Sequence, residues 1–409
     1  MNLAVAPRRG RRPLRSELRV SVLREQLGAF IERAALDLVD VDRIEAIAED
    51  MRLIERHRVH HVGLVVAAVV LSAMQPSADT QGLWLDAQRK YEDLGGAESG
   101  ETSFRDTVIK MVPVMRKLLR RRMRAFASST NQPELQGRLK AFADVLIPDG
   151  CAFKLAAALS GVYSGTSQPA ELKLHAIYSV RAGGVVSVTK TAGSVHDSDG
   201  FCPTEWVRDA LYIWDLGYVS HARFVDGATA GAHLLQRLKS TQNPVVLASY
   251  GPTGTRHDVH HDGAHVRLEM ACQLGLLPRA RILDLDVEVT DDQGRTVVAR
   301  VVCVPFGGED RYYLTTLPRA IFSPHDVAEM YRIRWEIELF FRNWKGALRL
   351  DQVRRLKQPL SLEAAITASL LAGTLAQEIT AAVNDLERLA HAEAFSPCAT
   401  GGDAIADGV

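Results

Sequence analysis

The first third of the chain carries apolar residues at the three- and four-residue spacing of amphipathic helices. This spacing runs from Leu18 to Leu38 and again from Val108 to Met123, and it predicts helices whose apolar faces pack together. A glycine-rich stretch at 95–100 predicts a loop between the two regions. The pattern therefore predicts an all-helical part that ends near Ser128.

From Phe142 onward the helical spacing gives way to short β runs, separated by turn residues and by one helical stretch from about Ala222 to Lys239. The runs are VLIP before Asp149, LKLHAIYSV at 172–180, GVVSVTKT at 184–191, LYIWD at 211–215, PVVLAS at 244–249, ILDLDVEV at 282–289, TVVARVVCV at 296–304 and RYYLTT at 311–316. This mixture predicts an α/β fold preceded by a helical domain.

Two helices are predicted after the last β run. The first begins at Ser323–Pro324, with serine as N-cap and proline in the first helical position. Pro359 interrupts or ends it, because proline has no N–H to donate. A second helix, apolar over much of its surface, is predicted from Leu362 to Val383, and the small, polar tail after Pro397 is predicted to be disordered.

Length and composition are those of an ordinary globular protein. The 409 residues exceed what one hydrophobic core fills, so two or three domains are expected, and 47% hydrophobic with 24% charged residues excludes a disordered chain. The longest apolar run, at 61–74, is too short to cross a bilayer, and the N-terminal arginines lack the apolar segment of a secretory signal. We expect a cytoplasmic protein with no membrane partner. The five scattered cysteines include no C-x-x-C pair and are mostly expected to be buried thiols.

Basic residues are concentrated in two segments, although the formal net charge is +0. Residues 1–24 carry seven arginines against one acid, and the run RKLLRRRMR at 116–124 contains Arg120, Arg121 and Arg122. Such clusters suit phosphate backbones, because neutralised phosphates release counterions. Each run taken alone is equally compatible with a solvated helix face. Together they are candidate DNA-binding segments.

The segment YRIRWEIELFFRNWK at 331–345 places four chemically active residues on one predicted helix face: Tyr331, Arg334, Glu338 and Lys345. At about 100° per residue, the other three lie within about 40° of the glutamate. Such a face can hold a divalent metal through Glu338 while the two cations grip phosphates. From local spacing alone, an Arg334–Glu338 salt bridge on a solvated helix is the favoured alternative.

The spacing Tyr-x2-Arg-x3-Glu-x6-Lys of these four signature residues resembles that of insertion-sequence transposases of the DDE type, in insertion-sequence family four. Two further stretches are similar to the same family: Asp149-Gly150 after VLIP, and Asp215 in IWDLGY. The family commonly has Arg-Gly-Tyr after that second aspartate, and here Leu216 replaces the arginine. LKLH at 172–175 and the pair His196-Asp197 also stand where such proteins have similar residues.

The resemblance covers roughly 140–360 and implies an RNase H-like DDE catalytic domain there, with a β-rich insertion at about 250–318. It implies a helical, basic DNA-binding domain at 1–130. Residues 361–409 remain as a C-terminal helix and tail, a candidate dimerisation element. The implied partner is double-stranded DNA, as terminal inverted repeats and target DNA, bound by a homodimer.

The resemblance also implies that Asp149, Asp215 and Glu338 are the catalytic, metal-binding carboxylates. Cutting and joining DNA needs an activated oxygen nucleophile and a stabilised leaving oxygen, which two metal ions supply. Hard oxygen ligands favour Mg²⁺, and Mn²⁺ substitutes for it. Both aspartates are predicted to end a β run, so their carboxylates would emerge side by side if the strands are neighbours.

Other residues compete for these roles. Asp144 stands at the start of its β run, away from the usual catalytic end, whereas Asp197 and Asp199 suit a cap of the turn after the third run. The four histidines at 257–265 are predicted to form a surface loop rather than a second metal site, because their spacing enforces no tetrahedral set of ligands.

The leading hypothesis is a cut-and-paste transposase that binds the inverted repeats of its own element. An RNase H-like nuclease without strand transfer is the alternative enzyme, and a catalytically inactive, domesticated DNA-binding protein is the alternative from another class. The sequence leaves open the terminal repeats, the target site and whether a hairpin intermediate is used.

Overall fold

A computed structural model of the chain describes eight stretches of residues. They are 41–53, 60–74, 80–129, 132–200, 205–239, 241–278, 281–347 and 355–395. The arginine-rich segment 1–24, the helix predicted at 18–38 and the tail after Pro397 lie outside the described residues.

The described N-terminal region is helical, as predicted. Its helices are α1 (Val41–Asp50), α2 (Val62–Met74), α3 (Thr80–Asp93), α4 (Glu101–Lys110) and α5 (Val112–Ala127). The apolar α2 is buried along most of its length. The single helix predicted over 108–123 is divided at Met111, because Pro113 in the first turn of α5 cannot donate a backbone hydrogen bond to the turn before it.

Eleven strands form one sheet in the described chain, in the order β3-β2-β1-β4-β5-β11-β10-β9-β6-β7, with β8 also paired to β6. The strands are β1 (Val145–Lys154), β2 (Glu171–Ser179), β3 (Gly184–Ala192), β4 (Leu211–Trp214), β5 (His233–Arg237), β6 (Val245–Tyr250), β7 (Arg256–Asp258), β8 (Val266–Arg267), β9 (Leu283–Thr290), β10 (Thr296–Phe306) and β11 (Glu309–Thr315). β1, β2 and β3 are antiparallel, whereas β4 runs parallel to β1 and β5 parallel to β4.

The helix predicted from Ala222 to Lys239 is wrong in its second half. Helix α7 (His221–Thr229) ends before Gly231, whose φ of 82° is a left-handed conformation that suits glycine. The chain then enters β5, which fills the sheet position between β4 and β11. Pairing with strands distant in sequence therefore overrides the local helical spacing there.

The β-rich stretch predicted at about 250–318 is present, and it extends the same sheet. β11 pairs antiparallel with β5, so β6 to β11 continue the sheet beyond the first five strands. Two short helices, α6 (Asp197–Gly200) and α8 (Leu268–Gln273), lie in the connections.

Among the described residues, three helices follow the sheet: α9 (Pro324–Arg332), α10 (Trp335–Ala347) and α11 (Pro359–Phe395). The predicted start of α9 is confirmed, because Ser323 and Asp326 form a reciprocal capping box. The predicted single helix instead breaks at Ile333–Arg334, where hydrogen bonds from each residue to the third preceding carbonyl tighten the turn. Pro359 begins α11 instead of merely interrupting a helix, since a first-turn proline needs no N–H partner.

Helix α11 is the centre of the helical layer. Over 359–385 it is long and apolar enough to cross a membrane, but 83% of its most apolar window is buried inside the protein, against α2 and α5 among others. Glu363 of α11 accepts hydrogen bonds from Arg116 of α5 and from Lys190 of β3. These contacts give α11 the environment of a core helix, and they join the N-terminal helices to the sheet.

A buried ion pair fixes the approach of α9 to the sheet. Arg300 of β10 donates to both carboxylate oxygens of Asp284 on β9, at 2.8 and 2.6 Å, and to the carbonyl of Phe322 directly before α9 at 2.7 Å. Burial alone would raise the pKa of Asp284, but hydrogen bonds from Arg300 and Arg319 outweigh it and hold the pKa below its ordinary value.

We expect Asp284→Asn to lower the free energy of unfolding by about 3 kcal/mol near pH 7, because Arg300 is left buried without its counter-charge. A carboxylate with a lowered folded-state pKa contributes stability above its unfolded pKa and loses it as the pH falls through the folded value. The difference in unfolding free energy between the variant and the wild type should therefore shrink below about pH 4. Denaturant unfolding at pH 7 and pH 3 measures this difference, and Asp310→Asn, at an exposed position, is the control. An equal loss of unfolding free energy at both pH values would contradict the prediction.

Candidate active site

Two of the predicted carboxylates come from neighbouring parallel strands. β1 and β4 pair in the register Val145 with Leu211 and Leu146 with Tyr212. Continuing this register by three residues brings Asp149 level with Asp215. The sequence predicted this juxtaposition on the condition that the two strands are adjacent, and they are.

The position of Asp149 within its strand requires a correction. Asp215 follows the last residue of β4, as predicted, but Asp149 lies in the middle of β1, which continues to Lys154. The strand extends because β2 supplies a pairing partner along its whole length, including Ala176 opposite Asp149. Local apolar spacing ends at Pro148, and only the partner strand shows that the β conformation continues.

The side chain of Arg334 gathers the three carboxylates. Its Nη1 lies 3.4 Å from Asp149 Oδ2, and its Nε lies 3.9 Å from Asp215 Oδ1. Its Nη2 donates a hydrogen bond to Glu338 Oε1. Arg334 and Asp149 are largely buried, whereas Glu338 and Asp215 are partly exposed. The Arg334–Glu338 bridge considered from spacing alone is therefore real, and it is one part of a four-residue cluster.

The break between α9 and α10 changes how the signature residues are presented. Tyr331 belongs to α9, Arg334 to the turn, and Glu338 to the first turns of α10. The prediction of one continuous helix face is therefore wrong. The Arg334–Glu338 contact across four residues nevertheless survives, because the tightened turn keeps the two side chains close.

The electrostatics of Asp149 reflect its crowded position. The pKa of Asp149 is raised to about 6, mainly by burial and to a smaller extent by the nearby negative charges of Asp215 and Glu338. A hydrogen bond from the Gly150 N–H and the positive charge of Arg334 oppose the shift. Nearby positive charge therefore lowers the free-energy penalty of keeping the Asp149 carboxylate ionised near neutral pH.

Tyr331 contributes a hydroxyl that can still donate a hydrogen bond to a ligand. The residue is buried and its ring lies 5.2 Å from that of Tyr313. Its Oη is buried and has no hydrogen-bond partner among the residues that the structure describes. An unpaired buried donor is costly unless a ligand or water completes it. Burial raises the pKa of Tyr331, so the group remains a neutral donor.

The remaining signature residue is only partly described. Lys345 lies in α10, and its side chain is outside the described residues. Two tryptophans flank this part of the helix: Trp344 is buried in the core, whereas Trp335 is 53% exposed.

The competing acids have other partners. Asp144 accepts hydrogen bonds from Ser179 Oγ and from the backbone N–H groups of Val145 and Arg181, so it fixes the start of β1. Asp197 forms an ion pair with Lys173 at 2.9 Å.

The histidines at 257–265 lie in a largely exposed segment, where the rings of His260 and His265 stack at 4.1 Å. Within the described ranges no group of three or more His, Cys, Asp or Glu side chains has the close spacing of a metal-binding cluster. This applies both to the histidines and to the three carboxylates, which surround Arg334 without closing to ligand spacing.

A buried polar pair behind the aspartates was not predicted as part of the site. Tyr218, in a 3₁₀ turn at Leu216–Tyr218, lies 3.0 Å by its Oη from His175 Nδ1 on β2. Both residues belong to stretches that resemble the family, LKLH and IWDLGY, but the spacing of residues along the chain does not reveal that their side chains meet.

Residues 144–373 match the family model described as the transposase DDE domain, which is more than half of the chain. The chain belongs to this family. The DDE domain so defined runs from the residue before β1 into α11, and it contains all three carboxylates. The described N-terminal helices precede it.

Local similarity to curated relatives agrees with the DDE domain. The chain is 46% identical over 66 residues to the putative transposase InsL for insertion sequence element IS186A of Escherichia coli strain K12, and equally to the transposase for insertion sequence element IS421 of Escherichia coli. It is 36% identical over 45 residues to the transposase for insertion sequence element IS1151 of Clostridium perfringens. These alignments span only 18%, 18% and 10% of the respective relatives, and 16%, 16% and 11% of this chain.

A solved transposase structure is distantly similar to this chain. It is the piggyBac transposase synaptic complex with hairpin DNA, with a TM-score of 0.35 and 8% sequence identity, covering 90% of this chain and 83% of that one.

Proposed function

We propose that this chain is a DNA transposase that cleaves the inverted-repeat ends of its insertion sequence and transfers them into target DNA. The observation that carries the proposal is the convergence of Asp149, Asp215 and Glu338 on the Arg334 guanidinium. Three carboxylates from two strands and a helix, within a DDE domain, suit metal-dependent chemistry on phosphodiesters.

The donor set fits Mg²⁺, with Mn²⁺ as substitute. Transposase DDE domains generally use divalent metal ions, and the three side chains offer only hard oxygen donors. When bound, the metal would activate the attacking oxygen and stabilise the leaving oxygen. The role of the three carboxylates is to hold it, and their shared contact with one guanidinium supports the view that this place favours positive charge.

The other signature residues suit phosphates of the cleaved end. Arg334 offers a bidentate guanidinium, Lys345 a further cation, and Tyr331 an unpaired hydroxyl donor. A cation cannot ligate a metal ion, so Arg334 and Lys345 are assigned to DNA rather than to the metal.

The fold of the catalytic region is proposed to be RNase H-like. The order β3-β2-β1-β4-β5, with three antiparallel strands followed by two parallel ones, supports this assignment. The stretch at about 250–318, which contains β7 to β11, would then be the family's β-rich insertion. The helical part at 1–130 would be the DNA-binding domain and 361–409 a dimerisation element, in a protein that acts as a homodimer on DNA in the bacterial cytoplasm.

One assay separates the three candidate functions. Purified protein is incubated with Mg²⁺, linear DNA that carries the terminal inverted repeats of the element, and a supercoiled target plasmid. A transposase yields cleaved ends and then products joined to the plasmid. A nuclease without strand transfer yields cleaved ends only, and an inactive DNA-binding protein shifts the DNA without cutting it.

The basic run on α5 is expected to contribute to DNA affinity through two of its three predicted arginines. Arg120 and Arg121 are exposed and form no ion pair with another described residue, whereas Arg122 donates to Glu378 of α11 at 2.7 Å. The structure therefore distinguishes residues that the sequence grouped together.

We expect replacement of Arg120 and Arg121 by glutamine to weaken binding to end DNA and to flatten the log–log salt dependence, by about 0.9 for each phosphate that is no longer neutralised. Arg122→Gln is the matched control, since it should lower stability and leave the slope unchanged. Fluorescence anisotropy at several salt concentrations measures both. If the double variant keeps the wild-type slope, α5 presents a solvated face and does not touch DNA.

A further inference from the structure

The ladder between β1 and β4 ends before the two aspartates. The last paired residues are Leu146 and Tyr212, three positions before Asp149 and Asp215. Asp215 stands in the chain segment that leaves β4, where no strand pairing holds it against β1. The separation of the two carboxylates therefore depends on some other contact between this exit segment and the sheet.

Tyr218 supplies such a contact. It lies three residues after Asp215, is 2% exposed, and its Oη reaches His175 Nδ1 on β2 at 3.0 Å. His175 is the pairing partner of Gly150, the residue next to Asp149. The tyrosine thus connects the exit of β4 with the strand on the far side of β1.

Gly150 makes this path across β1 available. A Cβ atom at Gly150 would lie 2.5 Å from Tyr218 Oη, which is closer than non-bonded atoms approach. Side chains alternate between the two faces of a strand, so Tyr218 packs on the face opposite to the Asp149 carboxylate. The tyrosine therefore contacts the sheet on the face opposite to the Asp149 carboxylate and takes no direct part in the cluster around Arg334.

His175, at the far end of this contact, is itself held in place. His175 is 3% exposed, and its second ring nitrogen, Nε2, lies 2.8 Å from Thr191 Oγ1 on β3. A neutral imidazole has one donor and one acceptor nitrogen, so the two hydroxyls use both. Gly200 packs against the same ring, where a Cβ atom would lie 2.1 Å from Nε2. The histidine therefore gives Tyr218 a fixed anchor.

We propose that Tyr218 is a positioning residue, which holds Asp215 level with Asp149 through His175 and thereby sets the affinity of the carboxylates for the divalent metal. The inference rests on the proposed function, since it assumes that the two aspartates bind the metal. Supporting residues behind metal ligands typically change metal affinity by ten- to a hundredfold, and an indirect support belongs at the lower end of that range.

The test compares Tyr218→Phe with Tyr212→Phe in the full-length protein. Tyr212 is a matched control, because it is equally buried and its Oη accepts a hydrogen bond from the Val207 N–H at 3.1 Å, away from the aspartates. Each variant loses one buried hydroxyl, so both should lose similar thermal stability. In calorimetric titration with Mn²⁺, Tyr218→Phe should bind about tenfold more weakly, whereas Tyr212→Phe should bind like the wild type.

A second pair of variants tests the path over β1. Gly150→Ala should displace the tyrosine and weaken Mn²⁺ binding, and adding Tyr218→Phe should cost no further affinity, because both changes break the same interaction. Wild-type Mn²⁺ affinity in Tyr218→Phe, or an equal loss in Tyr212→Phe, would overturn the positioning role.

Asp149→Asn separates the metal site from the positioning role. If this variant loses Mn²⁺ binding while Tyr218→Phe retains it, the proposed metal site stands and the positioning role fails. If Mn²⁺ binding to the wild type is undetectable or survives Asp149→Asn, the metal site itself is wrong and the positioning role fails with it.

Discussion

Asp149→Ala is expected to reduce cleavage of inverted-repeat end DNA by at least about a thousandfold, while binding of the same DNA stays close to wild type. The physical reason is that a divalent metal contributes several kcal/mol to the stabilisation of charge in phosphodiester cleavage, and each factor of ten in rate corresponds to about 1.4 kcal/mol. Asp215→Ala and Glu338→Ala should behave in the same way, because all three carboxylates surround the same place.

Asp144→Asn is the control for this loss. Asp144 is a partly buried acid on the same stretch of chain, but it caps the start of β1 through Ser179 and two backbone N–H groups. We expect it to lower the melting temperature without a comparable loss of cleavage rate. Cleavage is measured on labelled end DNA with Mg²⁺ at saturating protein, and wild-type cleavage by Asp149→Ala would refute the assignment.

Arg334→Ala should lower the stability of the protein in the absence of DNA and metal. One guanidinium offsets three carboxylates in this cluster, and its own side chain is 16% exposed. Removing one partner of a buried ion pair costs about 3–5 kcal/mol, and the partial exposure of Asp215 and Glu338 reduces this to about 2–3 kcal/mol of unfolding free energy. Thermal unfolding in the presence of a chelator measures the loss.

Mn²⁺ should then restore stability in Arg334→Ala more than it stabilises the wild type. The ion supplies the positive charge that the variant lacks, and a ligand that binds only the folded state raises the melting temperature. Arg334→Lys keeps the positive charge but lacks the planar guanidinium, so its Mn²⁺-induced rise in melting temperature should lie between those of the wild type and Arg334→Ala. Equal Mn²⁺-induced shifts in wild type and Arg334→Ala would show that Arg334 does not act as a counter-charge for these carboxylates.

The two roles of Arg334 compete for the same atoms. In the structure its guanidinium contacts carboxylates, whereas the proposed function assigns it to phosphates of the DNA end. A bidentate guanidinium binds either group well, so the arrival of phosphates and of a metal ion would be favourable together. The contact of Arg334 with Asp149 and Asp215 could not be predicted from the spacing of the signature residues, because it joins positions 185 residues apart along the chain in the case of Asp149.

Local chemistry determined several parts of this protein. Alternating apolar residues and turn glycines identified β2, β3 and β9 to β11 within one or two residues, and Ser323-Pro324 located the start of α9. The four signature residues, with Asp149 and Asp215, were sufficient to indicate the DDE family, since such a motif depends only on residue types at fixed offsets. Turn chemistry, capping and motif spacing are short-range properties, and for this reason they are visible in the sequence.

The tertiary structure decided what depends on distant partners. β5 is a strand because its backbone pairs with β4 on one side and β11 on the other, and β1 continues through Asp149 because β2 pairs with it. Arg122 is engaged by Glu378, 256 residues away, whereas its neighbours Arg120 and Arg121 are exposed. In each case the free energy comes from pairing or burial between segments remote in sequence, and local spacing does not indicate which segments will meet.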